Sequence, residues 1–168
     1  MNKHNHKQDV GQLGEELVTE WLRQNNWVIL HRRWRCRWGE IDIIGKSEAA
    51  KQRQECLVFV EVKTRSQGSW DANGLLAITP SKQGRLRRSA ELFLADNSAV
   101  QNLICRFDVA LVSCQRLCQN SRRAQNSLPD LSVAIDSTIL LPSLHLGKSV
   151  LWAGYQFILQ DYIQSAFE

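Results

Sequence analysis

Long apolar runs are absent from this sequence. The longest mainly apolar stretch, at 139–151, is interrupted by Pro142 and Lys148 and falls short of the length that a membrane-spanning helix needs. The first nine residues are polar and lack the apolar segment of a secretory signal peptide. We therefore expect a cytoplasmic protein without a membrane segment.

The cysteines lack the number and spacing of a disulfide scaffold. Five are present, at 36, 56, 105, 114 and 118, which is an odd count. Cys114 and Cys118 have neither a second cysteine pair nor a nearby histidine to complete a zinc site. Free thiols in a reducing compartment are therefore expected.

A strong net charge is also lacking, since 21 basic residues face 17 acidic ones, giving +4. This excess alone indicates no class of partner, but its distribution is uneven. Two basic clusters stand out: Arg32, Arg33, Arg35 and Arg37, then Lys82, Arg85, Arg87 and Arg88. Such clusters can neutralise phosphates of a nucleic acid or form solvated basic faces, and charge alone does not choose between them.

What the sequence contains is a succession of helical and strand-like periodicities, in a length that suits one domain, 1–168. The predicted elements are helices at 9–25 and 79–95, strands at 27–37, 40–45, 57–65, 103–113 and 154–159, and a tail at 162–167. The order α-β-β-β-α-β, then a C-terminal strand, predicts a mixed central sheet flanked by helices. The polar stretch 115–132 is expected to be a flexible insertion, and 133–168 a C-terminal extension.

The strand at 57–65 gives the strongest signal for a site. Alternation places Leu57, Phe59, Glu61 and Lys63 on one face, where apolar residues give way to a carboxylate and an ammonium. The Cα atoms of Glu61 and Lys63 would lie about 7 Å apart, at about 3.3 Å per residue. By itself, Glu-x-Lys on a strand is commonly an exposed pair that contributes little to stability.

The preceding strand adds a second carboxylate. Alternation places Glu40 and Asp42 on one face and Ile41 and Ile43 on the other. If the two strands form a hairpin, Asp42 can meet Glu61, and the two charges would repel each other. A hard divalent cation with oxygen ligands, usually Mg²⁺, relieves such repulsion.

The leading helix supplies a third acidic candidate. At about 100° per residue, Glu15 falls on the border of the apolar stripe beside Val18 and Leu22. Glu16 falls on the far side, toward solvent. Glu15 is therefore the residue that we expect to reach over the sheet.

Four sequence blocks then resemble a known family: GQLGE at 11–15, GEID at 39–42, FVEVKTR at 59–65 and RFD at 106–108. They are similar to the successive signatures of the YraN-like proteins, a bacterial family of the PD-(D/E)xK nuclease superfamily that is similar to archaeal Holliday junction resolvases. The resemblance covers about 8–113 and implies a restriction-endonuclease-like α/β core there. Ile41 stands where the superfamily name has proline.

The resemblance implies a role for each site residue. Asp42 and Glu61 would match the two motif carboxylates, Lys63 the lysine, and Glu15 the helix glutamate of the resolvase-like branch. These four are the expected catalytic residues. Asp42 and Glu61, with Glu15 directly or through water, would hold Mg²⁺, which Mn²⁺ could replace. Lys63 would orient the attacking water and stabilise developing negative charge.

Other residues are expected to support this reaction. Arg65, Lys82 and Arg85 would bind the nucleic-acid backbone. Glu40 would support the metal ligands without binding the ion, and Asp108 would have a structural role. Core packing is expected for Trp34 and Trp38. Loop packing is expected for Trp70, with contact to DNA as the alternative.

The expected function is metal-dependent hydrolysis of phosphodiester bonds in DNA, with branched or structured DNA recognised through its shape and backbone. RNA is an alternative substrate. Two alternative functions are a non-catalytic nucleic-acid-binding protein on the same fold, and a protein–protein adaptor acting through the insertion and the tail. The resemblance to resolvases implies a homodimer.

Overall fold

The computed structural model describes residues 3–47, 55–66, 78–117 and 143–168. The elements within these ranges are α1 (Lys3–Gln24), β1 (Trp27–Cys36), β2 (Gly39–Ser47), β3 (Cys56–Ser66), α2 (Pro80–Asp96), β4 (Ile104–Arg116), β5 (Ser149–Trp152) and β6 (Tyr155–Phe167). Neither described helix is long and apolar enough to cross a membrane.

The strands form one mixed sheet in the order β1-β2-β3-β4-β6-β5. Strands β3 and β4 pair in parallel, and α2 connects them, as parallel neighbours require a crossover. The other neighbouring strands pair antiparallel. The predicted mixed α/β architecture, with its α-β-β-β-α-β order, is therefore confirmed.

The two helices cover opposite faces of the sheet. Leu17, Val18 and Leu22 of α1 pack with the face of β3 that carries Val58 and Val60. On the opposite face, Leu57 and Phe59 of β3 pack with three residues of α2: Leu86, Ala90 and Phe93. Strand β3 is buried on both faces, and its side chains alternate between the two helices as predicted.

Strand β1 contains a bulge that the sequence did not reveal. Its register against β2 shifts between Ile29 and His31, which makes Leu30 an extra residue. Leu30 and Trp34 pack on the α2 side, whereas Val28 is 49% exposed. Trp27 and Ile29 pack on the α1 side, so Val28 lies on the same face as Leu30 and Trp34. The bulge instead places Leu30 and His31, two successive residues, on the α2 side.

The start of α2 agrees with the sequence prediction, whereas the start of α1 does not. Helix α2 begins as predicted: Thr79 is extended (φ −63°, ψ 154°) and its side chain accepts a hydrogen bond from the Lys82 N–H at 3.3 Å. Helix α1 begins at Lys3, earlier than the predicted residue 9. The preceding residues are polar and have no apolar periodicity by which a helix could be recognised.

The C-terminal region forms more sheet than expected. Strand β6 extends to Phe167 and pairs with β4, so the predicted tail belongs to a strand, and β5 pairs along the outer edge of β6. Strand β4 reaches Arg116, so Gln115 and Arg116 are not part of an insertion. Residues 118–132 of that predicted insertion, which include Cys118, lie outside the described residues, as does Trp70. The other four cysteines are free thiols.

Asp108 ties the C-terminal strand to the core. Its fully buried carboxylate pairs with Arg106 at 2.9 Å and accepts hydrogen bonds from the Tyr162 hydroxyl at 2.8 Å and the Ser165 N–H at 2.9 Å. Burial, followed by the charge of Asp108, raises the pKa of Tyr162. These contacts support the structural role that we expected for Asp108.

Candidate functional site

The site lies where β2 and β3 separate. Their antiparallel ladder ends at the pair Ile43–Val60. Beyond it, Asp42 Oδ2 accepts a hydrogen bond of 2.7 Å from the Val62 N–H, so a side chain takes the place of a backbone partner. Ile41 packs on the α2 side, whereas Ile43 packs on the α1 side. The prediction that these two share a face is wrong, because the alternation breaks at Asp42.

Glu61 lies at the centre of a small charged cluster. Its side chain is 4% exposed, and Lys63 Nζ lies 2.5 Å from Oε1. Lys82 Nζ, from the first turn of α2, lies 3.1 Å from Oε2. Strand geometry had placed Lys63 beside Glu61. Lys82 was expected to bind the DNA backbone, and the structure places it at the carboxylate itself.

Glu15 approaches the same region from α1. Its side chain is 15% exposed, whereas that of Glu16 is 45% exposed and pairs with Arg32 at 3.7 Å. The two glutamates therefore differ in exposure as the helical spacing predicted. Glu15 is held at 3.6 Å from Arg33 Nε.

A close helix–strand contact fixes the position of α1 at Glu15. A Cβ added to Gly14 would lie 2.0 Å from Thr64 Oγ1 and 3.2 Å from Thr64 Cβ, whereas a Cβ added to Gly11 meets nothing within 4 Å. We expect Gly14→Ala to lower the free energy of unfolding by about 2 kcal/mol through overpacking. Gly11→Ala, the matched control one turn earlier, should raise it by up to about 1 kcal/mol through helix propensity.

Urea unfolding of both variants measures this difference. Combining Gly14→Ala with Thr64→Ala should restore part of the loss, because the 2.0 Å contact disappears while the 3.2 Å contact remains. If Gly14→Ala were as stable as Gly11→Ala, the described contact between α1 and β3 would be wrong.

Arg33 connects Glu15 to Glu40. Its backbone has φ 51°, an uncommon conformation for a residue other than glycine. Arg33 Nε donates a 2.8 Å hydrogen bond to Glu40 Oε1, and Arg35 Nε donates one of 2.6 Å to Oε2. Although burial alone would raise it, these bonds hold the pKa of Glu40 below its usual value. The bond to Glu40 raises the pKa of Arg33.

Arg33 is a site residue that sequence reasoning missed. It had been grouped only with the first basic cluster, although its position in the β1–β2 hairpin, between the pairs Arg32–Ile43 and Trp34–Ile41, places it opposite Asp42. That hairpin register was the signal that could have identified it. Glu40 contacts Arg33 and Arg35, and its support of the metal ligands stays a prediction.

Burial and mutual repulsion dominate the electrostatics of the acidic groups. Burial, together with the charge of Glu61, raises the pKa of Asp42 to about 7. Burial also raises the pKa of Glu15, although Arg33 opposes the change. Oε2 of Glu15 and Oε2 of Glu61 are buried and accept no hydrogen bond from the described residues. For Glu61, the 3.1 Å approach of Lys82 gives an ion pair at an angle that makes no hydrogen bond.

A hard divalent cation fits this donor set chemically, because it would satisfy the buried oxygens and offset the repulsion between Asp42 and Glu61. Within the described ranges, no three ligating side chains are grouped closely enough to hold an ion as they stand. Mg²⁺ commonly takes one or two protein carboxylates and completes its shell with water and phosphate. Asp42 and Glu61 could therefore serve as the protein ligands of such an ion, and Glu15 could reach it through water.

The other predicted nucleic-acid contacts lie at the rim. Arg65 is exposed, and its Nη1 donates a hydrogen bond of 3.4 Å to the Thr64 carbonyl. Arg85 is exposed on α2 and borders a small recess with Trp38 and Lys82. The structure therefore leaves Arg65 and Arg85 accessible to a ligand.

Two tryptophans differ from each other in their surroundings. Trp34 packs edge-on against Phe93, with ring centroids 5.5 Å apart, on the α2 side of the core. Trp38 belongs to none of the core clusters of the described residues and instead contacts Arg37 and Arg88. The expectation of a core position is confirmed for Trp34 and wrong for Trp38.

The sequence is similar to known proteins, both over the region that contains the site and over most of the chain. Residues 14–112, which include Glu15, Asp42, Glu61 and Lys63, match the Uncharacterised protein family UPF0102. A UPF0102 protein of Trichodesmium erythraeum (strain IMS101) is similar at 48% identity over 167 residues, 96% of this chain and 89% of the relative. One of Acaryochloris marina (strain MBIC 11017) is 45% identical over 169 residues, 99% and 94% of the two chains. The chain belongs to the UPF0102 family, in agreement with its resemblance to the YraN-like proteins.

Proposed function

We propose that this protein is a metal-dependent endonuclease that hydrolyses phosphodiester bonds in DNA, preferentially in branched or structured DNA. The observation that supports it most is the buried pairing of Glu61 with Lys63, beside an Asp42 whose pKa is raised to about 7. A carboxylate of raised pKa beside a buried carboxylate–ammonium pair is an arrangement that recurs at functional sites.

In this reaction, the metal ligands and the two lysines would have different roles. Asp42 and Glu61 would hold Mg²⁺, which supplies the Lewis acid that draws charge from the scissile phosphate. Lys63 uses one of its N–H groups on Glu61 Oε1 and has two more to orient a water or stabilise a phosphate oxygen. Lys82, anchored on the other oxygen of Glu61, would contact the phosphate from the α2 side.

The test is cleavage of labelled DNA of matched sequence, as a four-way junction, a flap and a linear duplex. With Mg²⁺ we expect the junction or flap to be cut, and with EDTA we expect no cutting. Mn²⁺ in place of Mg²⁺ should support the reaction. Absence of metal-dependent cleavage from the whole panel would overturn the proposal.

One observation favours the alternative, a nucleic-acid-binding protein without catalysis. Both oxygens of Glu61 already face an ammonium group, Lys63 on one side and Lys82 on the other. Two such charges could replace a metal ion and leave only a basic phosphate site. This alternative predicts salt-dependent DNA binding that EDTA leaves unchanged, with no product in the same assay.

A further inference from the structure

We propose that Arg37, Trp38, Arg85 and Arg88, here called the arginine–tryptophan strip, bind the phosphate backbone of DNA beside the candidate site. This inference rests on the proposed function, because it identifies the surface that would carry the DNA away from the scissile phosphate. The observation that supports it most is that the Trp38 ring contacts the guanidinium groups of Arg37, on the same β1–β2 turn, and of Arg88, on α2.

The geometry of the strip is specific. The guanidinium carbon of Arg88, from α2, lies 4.8 Å from the Trp38 ring centroid, and that of Arg37 lies 5.2 Å from it. Both distances are those of cation–π contacts, which hold the cation over the ring. Arg37, Arg85 and Arg88 are exposed. Their N–H groups are therefore accessible to a ligand.

The charges of the strip also lack internal compensation. Within the part of the chain that the structure describes, Arg37, Arg85 and Arg88 form no ion pair with a carboxylate. The acidic neighbour Glu40 is engaged by Arg33 and Arg35. The other arginines of the first basic cluster, by contrast, pair with glutamates. The strip thus retains positive charge for an external polyanion.

The strip is continuous with the candidate site. Trp38, Glu40, Lys82 and Arg85 border one recess, and Lys82 also pairs with Glu61. A DNA strand whose scissile phosphate lies at Glu61 would therefore meet Arg85 and then the Trp38 stack. Since the tryptophan restrains both guanidinium groups before binding, less rotamer entropy is lost when they contact phosphates.

Binding can be measured apart from cleavage, with wild-type protein and fluorescent junction DNA in EDTA over a range of salt. We expect Arg37→Ala and Arg88→Ala each to weaken binding and to reduce the slope of log K against log salt by about 1. Arg23→Ala removes the same charge from an exposed α1 residue that pairs with Glu20, and should leave the slope unchanged. Trp38→Leu, which alters no charge, should weaken binding several-fold, and Trp38→Phe less so.

Wild-type-like affinity and slope in both arginine variants would overturn the inference, even if the protein cleaves DNA. Equal losses in Arg23→Ala would also overturn it, because the effect would then be general charge. If the strip variants lose binding as expected while wild type cuts no substrate, the strip stands and the catalytic proposal fails. Thermal melting of each variant shows whether it is folded.

Discussion

Glu61→Gln is expected to lower metal-dependent DNA cleavage by at least about 100-fold, because it weakens a metal ligand and the anchor of Lys63 together. Lys63→Ala should cause a comparable loss, since the ammonium group 2.5 Å from Glu61 Oε1 disappears. Single-turnover rates on junction DNA, with enzyme in excess, measure the chemical step without product release. Circular dichroism confirms that the variants are folded.

The two neighbouring glutamates of α1 provide a matched control. Glu16→Gln should cleave at nearly the wild-type rate, because its exposed side chain pairs only with Arg32 among the described residues. Glu15→Gln should be slower by about 10-fold or more, as expected for a group that holds a metal-bound water network. A Glu61→Gln variant that cuts as fast as wild type would contradict the assigned site.

Asp42→Asn is expected to stabilise the metal-free protein above neutral pH. Asparagine can still accept the hydrogen bond from the Val62 N–H, but it carries no charge to bury beside Glu61. The pKa of Asp42 rises from 3.8 to about 7 on folding, chiefly through burial. At about 1.4 kcal/mol per pKa unit, the buried charge costs at most about 4 kcal/mol.

The sign of the pH dependence follows from where the proton is bound. Below about pH 4, Asp42 is protonated in both states and costs nothing. Between about pH 4 and about 7, the unfolded chain releases the proton and the folded chain retains it, so the free energy of unfolding falls as pH rises. Above about pH 7 the full cost is present.

Urea unfolding in EDTA at pH 5 and pH 8 measures this effect. The stability gained by Asp42→Asn should be larger at pH 8 than at pH 5. Asp96→Asn, at the exposed C-terminal end of α2, is the control and should show no such difference. If Asp42→Asn were less stable than wild type at pH 8, the claim that the buried Asp42 charge destabilises the folded protein would be contradicted.

The regular parts of the fold were predictable because they depend on local periodicity. Strand β3 is indicated by a run of apolar residues, as expected for a strand that is buried on both faces, and the start of α2 is indicated by the cap at Thr79. The bulge at Leu30 and the break at Asp42 were not predictable, since alternation assumes a regular strand. Both irregularities are decided by partners distant in sequence, namely the β1–β2 register and the Val62 N–H.

The sequence predicted the site residues whose relative positions are set within one helix or strand. It did not predict contacts that depend on how two elements pack together. Glu61 and Lys63 follow from one strand, and Glu15 from one helix face. The contact of Lys82 with Glu61 depends on how α2 packs against β3, and that of Arg33 with Glu40 on the hairpin register. Trp38 was assigned to the core because large aromatic residues usually are buried. It is instead half-buried and contacts Arg37 and Arg88.

Calorimetric titration of the protein with Mn²⁺ in the absence of DNA tests most directly whether buried carboxylates share a divalent cation. We predict saturable binding by wild type at pH 8, and its loss in both Asp42→Asn and Glu61→Gln, with Glu16→Gln unchanged. Equal binding by all four proteins, or no binding by wild type, would contradict the metal site.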